Sequence, residues 1–381
     1  MISDISTYIG THKQDLYTLM ETLVLIQSYS RNKAGVDRVG QYIAGIMERI
    51  GFSCEIVPQQ DLGNHVIARS PAAAKDPKGQ TLITGHMDTV FPEDSTFNWY
   101  KADDTKCYGP GVADMKGGLV VGIYALQALV DTGHLKDLPI TFVFNSDEEI
   151  GSLSSRELIA KEAKHARLAY VLEAGGMRND IVTGRKGNLS ISLEITGKAG
   201  HAAFAGKDKA SAILELAHKT LALEALNQPE KGISANVGTI TGGIGPNTVP
   251  DRAEASVDFR FLSFEDAEGV QQRLDEIINT PTVPGTSTRV QPVSGRPPMP
   301  QTAGNMAVYS KIETLAHKLG TPVLSELRQG VSDANIIAKQ GIPVIDGLGP
   351  VGAKDHSEDE FILKDSLWER TILFANILTE I

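Results

Sequence analysis

Three apolar stretches of this chain run directly into acids and imidazoles. Thr81-Leu82-Ile83-Thr84 leads to Gly85-His86-Met87-Asp88, and Ile140-Thr141-Phe142-Val143-Phe144 leads to Asn145-Ser146-Asp147-Glu148-Glu149. Ala169-Tyr170-Val171-Leu172 leads to Glu173. Short apolar runs of this kind read as buried strands. An open α/β sheet presents its functional groups just past its strand ends. Two more positions join them: Asp114 in a glycine-rich loop, and His356 in Lys354-Asp355-His356-Ser357. Carboxylates and imidazoles gathered in one place have few reasons to be together except a cation. Mixed nitrogen and oxygen ligands suit zinc, with cobalt or manganese as alternatives. Amide hydrolysis needs a polarised carbonyl, an activated water and a proton for the leaving amine, and two nearby divalent cations can supply the first two. Each residue alone has a plainer reading. Adjacent acids are usually a solvated turn, an Asp near a His is often a cap, and glycines around an acid make a tight turn. It is their joint occurrence that points to a two-metal hydrolase.

The elements that must position these residues follow from periodicity. Leu16, Leu19, Leu23 and Ile26 predict an amphipathic N-terminal helix, and Val36 to Ile50 a second one stopped by Gly51. Strands are expected over Phe52–Val57 and Asn64–Arg69, a loop from Pro71 to Gly79, and a helix over Gly117–Thr132 closed by Gly133. This alternation favours an α/β domain with a mixed, largely parallel sheet flanked by helices. From Leu189 the texture changes. Leu189–Thr196, Ala235–Thr241 and Ala253–Phe261 alternate apolar and polar residues, with helices at Ala210–Leu226 and Asp266–Asn279. That order predicts an inserted α+β, ferredoxin-like domain with a one-faced sheet. The stretch Pro292 to Pro300 is read as its boundary. The α/β texture resumes from Met306. The expected division is a discontinuous catalytic domain, 1–187 and 299–381, around an inserted lid or dimerisation domain, 188–298.

Composition sets limits on function. With 381 residues, two domains are the default. A formal net charge of −11 argues against nucleic acid as a partner. No run is long and apolar enough for a membrane span, and the N-terminus lacks the pattern of an export signal. Two cysteines, Cys54 and Cys107, give no disulfide framework. The expected location is cytoplasmic.

Gly85-His86-Met87-Asp88-Thr89-Val90, Gly109-Pro110-Gly111-Val112-Ala113-Asp114-Met115-Lys116-Gly117-Gly118 and Asp147-Glu148-Glu149-Ile150-Gly151-Ser152 resemble the signatures of the M20 metallopeptidases, closest to the glutamate carboxypeptidase branch. The resemblance covers nearly the whole chain. It implies two zinc ions bridged by Asp114, one completed by Glu149 and His356 and the other by His86 and Glu173. It also implies that Glu148 is the general base and later the acid, and that Asp88 holds the second nitrogen of His86. In the inserted domain, the resemblance assigns His201 to the tetrahedral oxyanion, often from the other subunit of a homodimer. It assigns Asn247 and Arg260 to the substrate carboxylate; a guanidinium fork suits that group. Gly330-Val331-Ser332-Asp333 resembles a substrate-side loop that in the family often reads Gly-Gly-Thr-Asp, placing Ser332 near the substrate. Glutamate rather than aspartate at 173 resembles carboxypeptidases and deacylases. The expected substrate is a small peptide or an N-acyl amino acid cut next to a C-terminal residue, acidic ones among the candidates. A deacylase using the same site is the alternative.

Overall fold

The computed structural model describes residues 2–381. These residues form two compact units. One comprises the described residues up to Gly184, Gln301–Arg328 and Ser332–Ile381; the other comprises Arg185–Pro300 and Gln329–Val331.

The first unit is built on a six-stranded sheet. Its order is Ser53–Val57, His65–Arg69, Ile140–Asn145, Gln80–His86, Ala166–Val171, Val344–Ile345. Gln80–His86 runs parallel to both neighbours, and Val344–Ile345 is parallel to Ala166–Val171. The first two strands are antiparallel additions. Every residue of Gln80–His86 and Ile140–Asn145 is buried, as strands covered on both faces must be. The main covering helix, Lys116–Asp131, is buried on nearly every side because it also packs with Lys13–Leu25 and Lys364–Glu380. Its Leu119 and Leu126 share one core with Ile83, Phe142, Phe144 and Tyr170. Gly118 lets the helix reach the backbone beyond Ala166–Val171, since a Cβ there would collide with the Leu172 carbonyl oxygen.

Local chemistry sets three departures from the expected elements. The N-terminal helix is two, Ile2–Thr11 and Lys13–Leu25, divided at His12, whose Nδ1 lies 2.7 Å from the Tyr8 carbonyl oxygen. The expected loop after Ser70 opens with a short helix, Pro71–Lys75. Pro71 needs no hydrogen-bond partner at its first position, and Ser70 Oγ accepts from Ala73 N. A four-stranded antiparallel sheet of short strands, Gly352–Ala353, Phe361–Leu363, Lys106–Tyr108 and Lys101–Ala102, carries no periodic signal in the sequence. It sets the chain around residue 360 beside the chain leading to Asp114.

The second unit runs Gly187–Thr196, Ala212–Glu224, Ser234–Gly242, Arg252–Phe261, Phe264–Asn279, Ser287–Arg296, a βαββαβ order. Its antiparallel sheet has Arg252–Phe261 and Gly187–Thr196 at the centre. Alternate residues of Arg252–Phe261, from Ala253 to Phe261, point into a separate core. The fourth strand, Ser287–Arg296, runs into the stretch from Pro292 read as a proline boundary. Pro292 is tolerated because this is an edge strand with a register shift between Pro292 and Ser294.

Candidate metal centre

The five expected ligands all lie in the first unit, and the fold brings them together. His86 ends the strand Gln80–His86; its Nε2 lies 3.0 Å from Asp114 Oδ1 and 3.8 Å from Glu173 Oε1. His356 Nε2 lies 3.1 Å from Asp114 Oδ2 and 3.1 Å from Glu149 Oε2. The two oxygens of Asp114 therefore face two different imidazoles. One side is completed by Glu173 and the other by Glu149. His356 adopts a left-handed backbone, φ 60°, a region that a β-carbon disfavours.

Asp88 holds this arrangement in a way its spacing from His86 does not reveal. His86 Nδ1 is 3.0 Å from the Asp88 carbonyl oxygen, and the Asp88 carboxylate is farther, at 3.4 Å. The carboxylate instead accepts from the backbone amides of Glu148 and Glu149, at 3.2 and 3.3 Å, and from Ser30 Oγ at 2.7 Å. Asp88 thus fixes the short 3-10 turn Glu148–Ile150 that carries the two acids. Behind the turn, buried Asp147 accepts from Ser154 N, Ser154 Oγ and Ser155 Oγ. Asp333 accepts from Asn145 Nδ2 and Ser152 Oγ. His65 lies between Ser146 and Ser154, and its burial draws its pKa down. On the opposite side, Arg328 donates to the carbonyl oxygen of Ala174, the residue after Glu173.

The electrostatics follow from crowding. Burial, with Asp114 nearby, pushes Glu149 up to about 8, and the same two causes hold Glu173 well above the usual carboxylate range. Burial opposes ionisation of Asp114, but His356 and His86 outweigh it and hold that carboxyl far below its ordinary value. Asp114 and Glu149 raise His356 to about 11. Burial would lower His86, but Asp114, Asp88 and Glu173 keep it well above its usual range. The protein's own charges thus make this cluster retain protons, a cost that bound divalent cations would remove.

The donor set fits such cations. Ligand atoms of His86, Asp114 and Glu149 lie within 4.8 Å of one another. Glu149 Oε1 is buried and accepts no hydrogen bond, an orphan that a cation would satisfy. Glu360, Asp147, Ser30 and Lys116 were not foreseen. Each acts through backbone or buried contacts that leave no spacing motif; Lys116, for instance, donates from Nζ to the Ile26 carbonyl oxygen at 2.8 Å.

The remaining expected residues separate. Ser332 is 1% exposed; its hydroxyl donates to Asp346 and accepts from Ala334 N, capping the helix Asp333–Ala338. In the second unit, His201 and Asn247 are exposed neighbours. His201 pairs with Thr248, and Ala202 N donates to the Asn247 carbonyl oxygen. Arg260 is elsewhere. On the strand Arg252–Phe261, Arg252 pairs with Thr196 near the His201 ribbon, whereas Arg260 pairs with Asn188. Eight residue steps along the strand separate Arg252 from Arg260, roughly 25 Å. Arg260 Nε donates to Asp258 Oδ2, with the side chain 33% exposed.

A mixed α/β sheet with imidazoles and carboxylates converging past its strand ends defines a metallohydrolase. Residues 82–380 match Peptidase family M20/M25/M40, and the chain belongs to that family. It is similar to carboxypeptidase G2 of Pseudomonas sp. (strain RS-16), 27% identical over 95% of this chain and 88% of the relative. It is also similar to the succinyl-diaminopimelate desuccinylase of Psychrobacter arcticus, 26% identical over 97% of this chain and 95% of the relative. Among solved structures it resembles aminopeptidase PepT from Bacillus cereus, with TM-score 0.79 and 25% identity over 97% of this chain and 98% of that one. The chain is a peptidase or amidohydrolase of this family.

Proposed function

We propose that the chain is a di-zinc exopeptidase that cuts the amide bond next to a C-terminal amino acid. The carrying observation is the split of Asp114, one oxygen toward His86 and the other toward His356, with Glu173 and Glu149 on the respective sides. His86, Asp114, Glu149, Glu173 and His356 would hold the two ions, with cobalt or manganese as substitutes. When bound, the ions would polarise the scissile carbonyl and acidify a water. Glu148, on the turn held by Asp88, would take a proton from the attacking water and pass it to the leaving nitrogen.

Two further roles belong to the second unit, proposed here as the lid and dimerisation domain. Arg260 would bind the substrate carboxylate through its guanidinium. His201, with Asn247 beside it, belongs to a separate two-stranded ribbon that follows the other end of Gly187–Thr196. They would serve the site of a second copy in a homodimer, with His201 donating to the oxyanion. The free thiols of Cys54 and Cys107 favour a reducing compartment, the cytoplasm. A second reading, N-acyl amino acid deacylase, is favoured by the similarity to a desuccinylase.

The test uses paired substrates ending in glutamate, one with a free α-amino residue on the N side and one with a simple acyl group, after chelation and zinc restoration. Zinc-dependent cleavage of the peptide, lost when its C-terminus is amidated, supports the exopeptidase. Cleavage of the acyl compound alone moves the assignment to the deacylase. Full activity without metal would overturn both.

A further inference from the structure

Glu360 is fully buried, and its carboxylate is occupied by main chain. Oε1 accepts from Ala113 N at 2.8 Å and from Asp114 N at 3.0 Å, and Oε2 accepts from Gly111 N at 3.0 Å. A carboxylate is acceptor-only and has two oxygens, which is what three converging N–H groups require. The loop they belong to is the one that presents Asp114. Gly111 takes a left-handed conformation there, φ 76°, and a Cβ on it would crowd Thr89 Cγ2 at 2.8 Å. The loop's other end is fixed by the hydrogen bond from Lys116 N to the Gly111 carbonyl oxygen, 2.8 Å.

Glu360 is also four residues from His356. It enters the strand Phe361–Leu363, which pairs with Lys106–Tyr108 just before the Asp114 loop. A closed circuit results. Asp114 N donates to Glu360; the chain runs back to His356; and His356 Nε2 meets Asp114 Oδ2 at 3.1 Å. The loops bearing two ligands of one ion are thereby fastened to each other.

We propose that Glu360 is a positioning residue that fixes the Asp114 carboxylate against the His356 loop so that both face one cation, a role that rests on reading these residues as metal ligands. A side chain that only stabilised the fold would change melting and leave metal affinity alone. Glu360→Gln keeps one acceptor oxygen and turns an NH2 group toward an amide that needs an acceptor. Glu360→Asp keeps the charge and shortens the reach.

The experiment strips the full chain of metal and titrates it with zinc against a chromophoric chelator, for wild type, both Glu360 variants and His86→Ala. Zinc affinity in folded Glu360→Gln is expected to fall about 10–100-fold, with kcat falling and KM nearly unchanged. Should Glu360→Gln fail to fold by circular dichroism, Glu360→Asp carries the same expectation. Unchanged zinc affinity and kcat in a folded Glu360 variant, with His86→Ala impaired, overturns this role alone. A wild-type chain that binds no zinc, cobalt or manganese overturns the metal-centre reading and this role with it.

Discussion

At the scale of single residues, adjacent Glu148 and Glu149 share one anchor, and the roles proposed for them differ. Asp88 accepts from both of their amides, and His356 Nε2 lies 3.1 Å from Glu149 Oε2. Glu148→Gln should therefore retain the fold and its full metal content, measured by elemental analysis, while kcat falls roughly 10²–10⁴-fold, the usual scale for a lost general base. Retained turnover, or loss of metal, would remove Glu148 from that role. Four of the five proposed metal ligands, His86, Asp114, Glu149 and Glu173, stand out in the sequence because they follow apolar strands or sit in a glycine-rich loop; His356, in Lys354-Asp355-His356-Ser357, carries no such mark and is singled out by the family resemblance. The residues supporting them do not stand out. Glu360 accepts from backbone amides and Asp147 from backbone amides and two serine hydroxyls, partners that no spacing motif marks. Asp88 shows the same limit from another side: it was expected to hold the second nitrogen of His86, and its carbonyl oxygen does lie 3.0 Å from that nitrogen, but nothing in the sequence showed that its carboxylate also anchors the turn carrying Glu148 and Glu149.

At the scale of elements, the centre depends on how closely the helix Lys116–Asp131 approaches the chain leading to Glu173. Gly118→Ala would drive a methyl group into the Leu172 carbonyl oxygen. The helix that follows Asp114 would shift from the strand end that precedes Glu173. The expected cost is about 1–3 kcal/mol of stability, read as a lower urea midpoint, with weakened zinc binding in the fraction that folds. A second prediction concerns the far side of the sheet. Arg69 of the strand His65–Arg69 donates to both oxygens of Glu162, at 2.8 and 2.7 Å, and Gln80 Nε2 adds a third bond. Burial alone would raise Glu162, but these donors hold it below its ordinary 4.5. A carboxyl with a depressed folded-state pKa stabilises the fold above its unfolded value, and that stability is lost as pH falls through the folded value. Glu162→Gln should cost on the order of 2 kcal/mol at neutral pH. The gap from wild type should close as the pH drops below about 4; a gap independent of pH would mean the pair is not what stabilises this corner. Elements with a clear period were legible, from the buried central strands to the alternating strands of the second unit. Ser287–Arg296 was hidden because its Pro292 reads as an interruption, and only the edge position and register shift make it a strand.

At the scale of the whole molecule, the second unit raises a question of copy number. A separate ribbon carries His201 beside Asn247 beyond one end of the unit's sheet, and Arg260 lies near the other end, with the run from Arg252 to Arg260 between them. On the proposed roles, a small substrate held by Arg260 through its carboxylate would not extend that far, so His201 and Arg260 of one copy would not serve the same bound molecule. A symmetric dimer would let each site draw on both chains. If His201 acts on the partner's substrate, a chain carrying His201→Ala keeps competent metal ligands, and a chain carrying His356→Ala keeps a competent His201. Neither variant alone should turn over at more than a small fraction of the wild-type rate. Unfolded and refolded together, they should regain activity, because each mixed dimer rebuilds one complete site. Random pairing of equal amounts restores roughly a quarter of the wild-type sites. Were His201 to act within its own chain, every site in the mixture would lack either the imidazole at 201 or the ligand at 356. Refolding the two together would then restore nothing.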